Sequence, residues 1–289
     1  MATSDNAQKK EHPSTYFVED RQSEAELKRL TIQGDMITKS MGGVFPEQAD
    51  PSAFRHVLDV ACGPGSWAID AARMYPDLSV IGIDISQRMI SHAREQAAVY
   101  NLGKRVEFHV MDAIRMLEFP AGFFDLVNMR CSGSFVRTWE WSKIISELLR
   151  VTRPGGTVRL MEPEVLHYSN SPAHMQINAM LLCALFKSGH LFEQESTGIN
   201  AHLAPLLKQY GCQQVQKRPY ALEYRSGTPE GQAYYQDGVH MFQTIRPFFQ
   251  KWGCINGDYE AIRQQALEEM SQSDYHATWN FVLAWGIKP

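Results

Sequence analysis

Basic residues form no run or stripe anywhere in this 289-residue chain, and its formal net charge is -4. That excludes a dedicated nucleic-acid binder, which concentrates positive charge on one face. Long apolar runs are missing too. The longest, Met180 to Phe186, is far too short to cross a bilayer, and the polar opening MATSDNAQKKEHPST lacks the apolar core of a signal peptide. Cysteine is scarce: Cys62, Cys131, Cys183, Cys212 and Cys254 are odd in number, scattered, and include no CxxC pair. Such usage predicts buried free thiols in a reducing cytosol rather than a disulfide framework or a zinc site. A cytoplasmic protein is therefore expected, with no membrane and no nucleic acid as partner. His167, His174, His190, His202 and His240 follow no ligand spacing such as HExxH, so no metal is expected.

What is present is a full core. At 44% hydrophobic residues the chain can bury one large α/β domain with an extra lobe. Residues 1 to about 15 read as disordered. Ser23-Glu24-Ala25-Glu26 is a capping-box pattern, and Leu27, Leu30, Ile37 and Met41 follow at helical spacing, which predicts an amphipathic helix near 22–41. The segment MGGVFPEQADPS is a linker. The expected organisation is a flexible N-terminus and helical arm over 1–45, then one domain over 46–289.

From residue 56 strands and helices alternate. Strands are predicted at His56–Val60, Leu78–Asp84, Arg105–Val110, Phe124–Met129 and Thr157–Glu162, with helices at Ser66–Tyr75, after Ser86, and at Trp139–Val151. Continuous apolar strands alternating with helices imply a mostly parallel sheet covered on both faces. Beyond Glu162 the rhythm changes to helices and loops, with two late strands near 213–224 and at His276–Gly286. These suit a hairpin-like pair at one sheet edge, with the segments at about 163–212 and 226–273 covering the ligand face.

The stretch VLDVACGPGSW ends the first strand in Gly63-Pro64-Gly65. Glycines there let the backbone approach a ligand closely. Asp84 ends the second strand about 20 residues on, where a carboxylate accepts hydrogen bonds from ribose hydroxyls. Gly63, Gly65 and Ala68 even satisfy the dinucleotide pattern G-x-G-x-x-A, so glycines alone leave a nicotinamide cofactor open. Asp59 points elsewhere. A carboxylate beside this loop repels a pyrophosphate and attracts an amino group or a sulfonium. Asp112 in Met111-Asp112-Ala113 is placed to accept an adenine amine, and Arg153-Pro154-Gly155-Gly156 makes a tight turn before the fifth strand.

Taken together, VLDVACGPGSW, IGIDIS, MDA, FDLVNM and LRVTRPGG resemble, in order and spacing over about residues 55–162, the motifs of class I S-adenosylmethionine-dependent methyltransferases. Ala61 stands where that family often has glycine, a small and tolerable departure. The resemblance implies a Rossmann-like, seven-stranded, mostly parallel sheet with an antiparallel last strand, a helical arm and helical lid insertions. It also implies S-adenosyl-L-methionine as cofactor and S-adenosyl-L-homocysteine as product. Carried over, Ala61, Gly63 and Gly65 line the methionine end and Asp59 sits near its amino group. Asp84 holds the ribose with Ile85 and Met89 beside it, Asp112 and Ala113 mark the adenine, and Met129 and Arg130 pass close to the cofactor and face the substrate. Tyr16 is expected to fold over the cofactor.

Glu162 at the fifth strand's end, His167 and His240 are the candidates to position the acceptor or take its proton. The fourth strand ends in Asn-Met-Arg-Cys rather than the Asn/Asp-Pro-Pro-Tyr/Phe typical of base-amine methylation. With about a hundred residues of apolar insertion, this predicts a small, partly apolar metabolite as acceptor, methylated on O, N or C, by a monomer or homodimer. A nicotinamide oxidoreductase and a non-enzymatic regulator of the same fold are the alternatives.

Overall fold

The computed structural model describes residues 15–18, 20 and 23–289. The N-terminal stretch expected to be disordered falls almost wholly outside them. Helix α1 (Glu24–Ser40) begins where the Ser23 hydroxyl accepts from the Glu26 amide at 3.2 Å. Only that half of the capping box forms; the Glu26 side chain turns inward to Arg29.

Five strands then run parallel: β1 (His56–Val60), β2 (Ser79–Asp84), β3 (Val106–Val110), β4 (Phe124–Arg130) and β5 (Thr152–Ser169). Between them lie α2 (Ser66–Met74), α3 (Gln87–Val99) and α4 (Trp141–Val151). Neighbouring residues of a strand point to opposite faces, and the core divides accordingly. Val57, Val80 and Leu126 pack on Trp67, Ala71 and Ile90 of α2 and α3. Leu58, Val127 and Met129 pack on Ile144, Ile145 and Leu148 of α4. Both faces are covered, as continuous apolar strands require. Trp141 is in this core, whereas Trp139, expected inside the helix, precedes it and is 63% exposed.

Strand β5 corrects the expected stop at Glu162: it continues through Pro163 to Ser169. Pairing with β4 ends at Met161, while pairing with the last strand carries on past Pro163. A proline is tolerated there because one edge no longer asks for its missing N–H. Helices α5 (Pro172–Lys187) and α6 (Leu203–Gln209) lead to β6 (Gln213–Arg225). Then α7 (Pro229–Thr244), α8 (Arg246–Lys251) and α9 (Tyr259–Met270) lead to β7 (His276–Ile287). The sheet order is β3-β2-β1-β4-β5-β7-β6, with β7 antiparallel to both neighbours. The late strands thus form the expected edge pair.

A third core joins the arm to the later helices: Phe17, Met36 and Ile37 pack with Ile177, Tyr234, Phe249 and Trp279. Here the expectation of five free thiols fails. Cys183 of α5 and Cys254 after α8 form a disulfide, while Cys62, Cys131 and Cys212 are free. The packing of α5 on α8 brings two Cα atoms 71 residues apart in sequence to 5.9 Å, a proximity that cysteine spacing does not encode. The bridge also removes the cysteine argument for a reducing compartment. Among the described residues, no helix is long and apolar enough to cross a membrane.

Candidate active site

The loop after β1 turns through three left-handed residues, Ala61, Gly63 and Gly65. The two glycines do different work. A Cβ on Gly65 would lie 2.7 Å from the Phe108 ring and 2.8 Å from Ala93, so this residue lets α2 close on the sheet. A Cβ on Gly63 would meet nothing within 4 Å. Gly63 and Ala61 line a cavity of about 280 Å³, and Gly65 does not.

Asp84, at the end of β2, accepts from the Gly63 amide at 3.0 Å and the Ser86 amide at 2.8 Å. Ile85 and Met89 line the cavity beside it. Past β3, Asp112 accepts from the Ile114 amide at 3.0 Å and pairs with Arg115 at 3.3 Å, with Ala113 next to it in the wall. These two carboxylates and the open glycine form one rim beyond the carboxyl ends of β1, β2 and β3. That is the ligand position of an open parallel sheet.

Asp59 lies below the rim, buried and outside the cavity lining. Its Oδ1 accepts from Asn128 Nδ2 at 2.7 Å, and its Oδ2 has no partner. Burial pushes its pKa up to about 6, against Arg130, Asn128 and Arg159, which favour the charged form. Asn128 accepts in turn from Arg159, which pairs with Glu47 at 2.8 Å. An orphaned carboxylate oxygen in so well satisfied a chain fits a cationic ligand group or a water bridging to one. Met129 is wholly buried within the sheet; Arg130, next along β4, lines the cavity and donates to Thr38 at 3.2 Å.

Glu162 is buried on the same rim. Its Oε1 accepts from the Ser132 amide at 2.6 Å and from the Ser132 hydroxyl, and its Oε2 from the Gly133 amide at 2.9 Å. Burial raises its pKa to about 7 against these bonds. His167 lines the cavity, bonded through Nδ1 to the Tyr234 hydroxyl, with its ring tilted against Trp279 at 4.1 Å between centroids. Burial and the neighbouring His174 hold its pKa well below the usual imidazole range. His240 lies on α7 and does not line the cavity.

The arm closes one side. The Phe17 amide donates to Ser134 O at 3.3 Å, and His190 Nε2 bonds the Thr15 carbonyl at 3.1 Å. Tyr16 lines the cavity, donating to Glu26 at 2.5 Å and accepting from Arg29 at 2.9 Å. Sequence reading missed the rest of this group. Glu26, Arg29 and Asp237 all line the cavity, with Arg29 2.7 Å from Glu26 and 3.3 Å from Asp237. The available signal was an acid and a base three residues apart on the apolar face of α1. Nothing comparable marks Asp237.

Residues 57–156 match a methyltransferase-domain family. The chain is 31% identical over 254 residues to the 27-O-demethylrifamycin SV methyltransferase of Amycolatopsis mediterranei, covering 88% of this chain and 78% of that one. It is 34% identical over 108 residues to a demethylmenaquinone methyltransferase of Deinococcus radiodurans, covering 37% of this chain. The match spans less than half the length of that protein and of the other first curated relatives. Among solved structures, phosphoethanolamine N-methyltransferase 2 of Haemonchus contortus shares the fold, with a TM-score of 0.52 at 20% identity over 94% of this chain and 60% of that one. The chain belongs to the class I S-adenosylmethionine-dependent methyltransferases.

Proposed function

We propose that this protein transfers a methyl group from S-adenosylmethionine to a small, partly apolar molecule and releases S-adenosylhomocysteine. The observation that carries this is one continuous cavity. It runs from the Gly63, Asp84 and Asp112 rim to a chamber walled by Ile177, Leu181, Tyr234, Phe242 and Trp279. A polar rim suited to a nucleoside thus opens directly onto an apolar space of substrate size.

Bound on the rim, the cofactor supplies an activated methyl group. Asp84 is the ribose acceptor, with Ile85 and Met89 packing nearby, and Asp112 with Ala113 marks the adenine end. Ala61 and Gly63 leave the backbone open to the methionine part. Asp59 supplies negative charge from below, through a bridging water. Tyr16 and the arm exclude solvent. In-line displacement needs alignment above all, and the enclosed chamber provides it. Glu162, with both oxygens taken by the loop after β4, acts as a positioning residue for that loop. His167, held neutral by burial, is placed to meet an acceptor in the chamber.

Calorimetry with S-adenosylhomocysteine and with NAD tests this reading. Binding of the former and none of the latter is expected; tight NAD binding with no affinity for S-adenosylhomocysteine overturns it.

A further inference from the structure

The carboxylates around the cavity differ in how fully they are satisfied. Glu162 accepts three short bonds from Ser132 and Gly133. Glu26 accepts from Tyr16 at 2.5 Å and from Arg29 at 2.7 and 2.8 Å. Asp237 is as deeply buried, yet its hydrogen bonds are long: 3.3 Å from Arg29 and 3.4 Å from Gln33 to each of its oxygens. Charge-assisted bonds settle near 2.7–2.9 Å, so Asp237 keeps the capacity for one strong bond more.

Its position matters as much. Asp237 comes from α7, in the lid, and lines the same cavity as Arg130 and Cys131 at the end of β4 and Glu162 of β5. The lid thus contributes a carboxylate to the space that the sheet rim opens onto. Arg29 already gives three of its bonds to Glu26 and Tyr16, so Glu26, Arg29 and Asp237 together carry an excess of one negative charge when all are ionised. A buried excess charge of that kind is relieved by a hydrogen-bond donor arriving with the ligand.

Building on the methyltransferase reading, we propose that Asp237 receives a hydrogen bond from a hydroxyl or amino group on the methyl acceptor, and so selects apolar molecules that carry such a donor. The chamber's other polar groups are engaged within the protein: His167 with Tyr234, His174 with Tyr275, Asn178 with the His167 carbonyl and Glu164 with Asn280. A single carboxylate then fixes which end of the molecule turns toward the β4 rim. Burial, which pushes the Asp237 pKa up to about 6 against the pull of Arg29, still leaves it charged at neutral pH.

The test compares three probes of one shape, 2-naphthol, 2-naphthylamine and 2-methylnaphthalene, by calorimetry with and without saturating S-adenosylhomocysteine. Wild-type protein is expected to bind at least one donor-bearing probe about ten-fold more tightly than 2-methylnaphthalene, the worth of one bond to a charged group. Asp237→Ala should bring that ratio to near one, and Asp237→Asn to an intermediate value, with affinity for S-adenosylhomocysteine retained in both. A wild-type ratio near one, failure of both donor probes to bind, or a parallel loss for all three probes in the variants overturns the proposal. The last pattern would mean that Asp237 only buttresses Arg29. If wild-type protein does not bind S-adenosylhomocysteine, the methyltransferase reading falls instead; the series without it still decides the role of Asp237.

Discussion

The Gly63 amide donates to Asp84 Oδ2 at 3.0 Å, tying the loop after β1 to the end of β2. The same carboxylate holds the Ser86 amide through its other oxygen. Asp84 therefore shapes the loop as well as facing the rim. Asp84→Ala should weaken S-adenosylhomocysteine binding roughly 10- to 100-fold, the loss of one or two bonds to a charged group. Calorimetry checks this, and a loss under about three-fold removes Asp84 from the cofactor site.

Asp59 gives a pH signature. Its folded-state pKa is raised from 3.8 to about 6, so it is charged above that value and neutral below it. If its charge meets the cofactor's ammonium, affinity for S-adenosylhomocysteine is fully present above about pH 7 and declines as pH falls through 6, while Asp59→Asn shows no such slope. Stability runs the other way. The folded state holds its proton more tightly than the unfolded chain, so the ionised group costs about 2–3 kcal/mol above pH 6 and nothing below pH 4. Asp59→Asn should accordingly be more stable than wild type at pH 7.5, read by denaturant midpoints.

The two glycines of the loop should separate stability from binding. Gly65→Ala meets Phe108 and Ala93 in a left-handed conformation and is expected to cost about 2–4 kcal/mol of unfolding free energy. Gly63→Ala meets no atom, so it should cost only about 1–2 kcal/mol while lowering cofactor affinity. Equal stability losses would contradict the assignment of the open position to the ligand.

The disulfide closes a loop of 71 residues across the lid. Replacing Cys183 and Cys254 together with Ser should lower stability by about 2–4 kcal/mol in urea titrations. Reductant should bring wild type down to the same level and leave the double variant unchanged.

The rim beyond β1, β2 and β3 was legible because it is local. Asp84 ends a strand, and Gly63 and Asp112 lie just past one, so spacing along the chain becomes spacing in the fold. Residues that depend on long-range packing were not. Glu26 reads as a helix cap, and only the contact of α1 with α7, through Arg29 and Asp237, turns it into a cavity group. His240 shows the converse. Both histidines are equally visible in the sequence, but His167 falls on the extension of strand β5 that lines the cavity, whereas His240 falls on α7 and does not line it. The disulfide was hidden for the same reason as Asp237: its partners meet only after α5 and α8 pack.

Strand β5 runs on from the β4 pairing along the chamber, and β7 stays paired with it to Ser169 but for an irregularity between Pro163 and His167. One wall of the chamber is thus the sheet itself, clamped by a ladder on the side of Trp279 and His167. Tyr16, Phe17 and Arg29, from the arm and α1, line the same chamber, and they are held by packing on the later helices and by bonds to Ser134 and Asp237. Residues from opposite ends of the sequence thus wall one space, and a guest in it touches both.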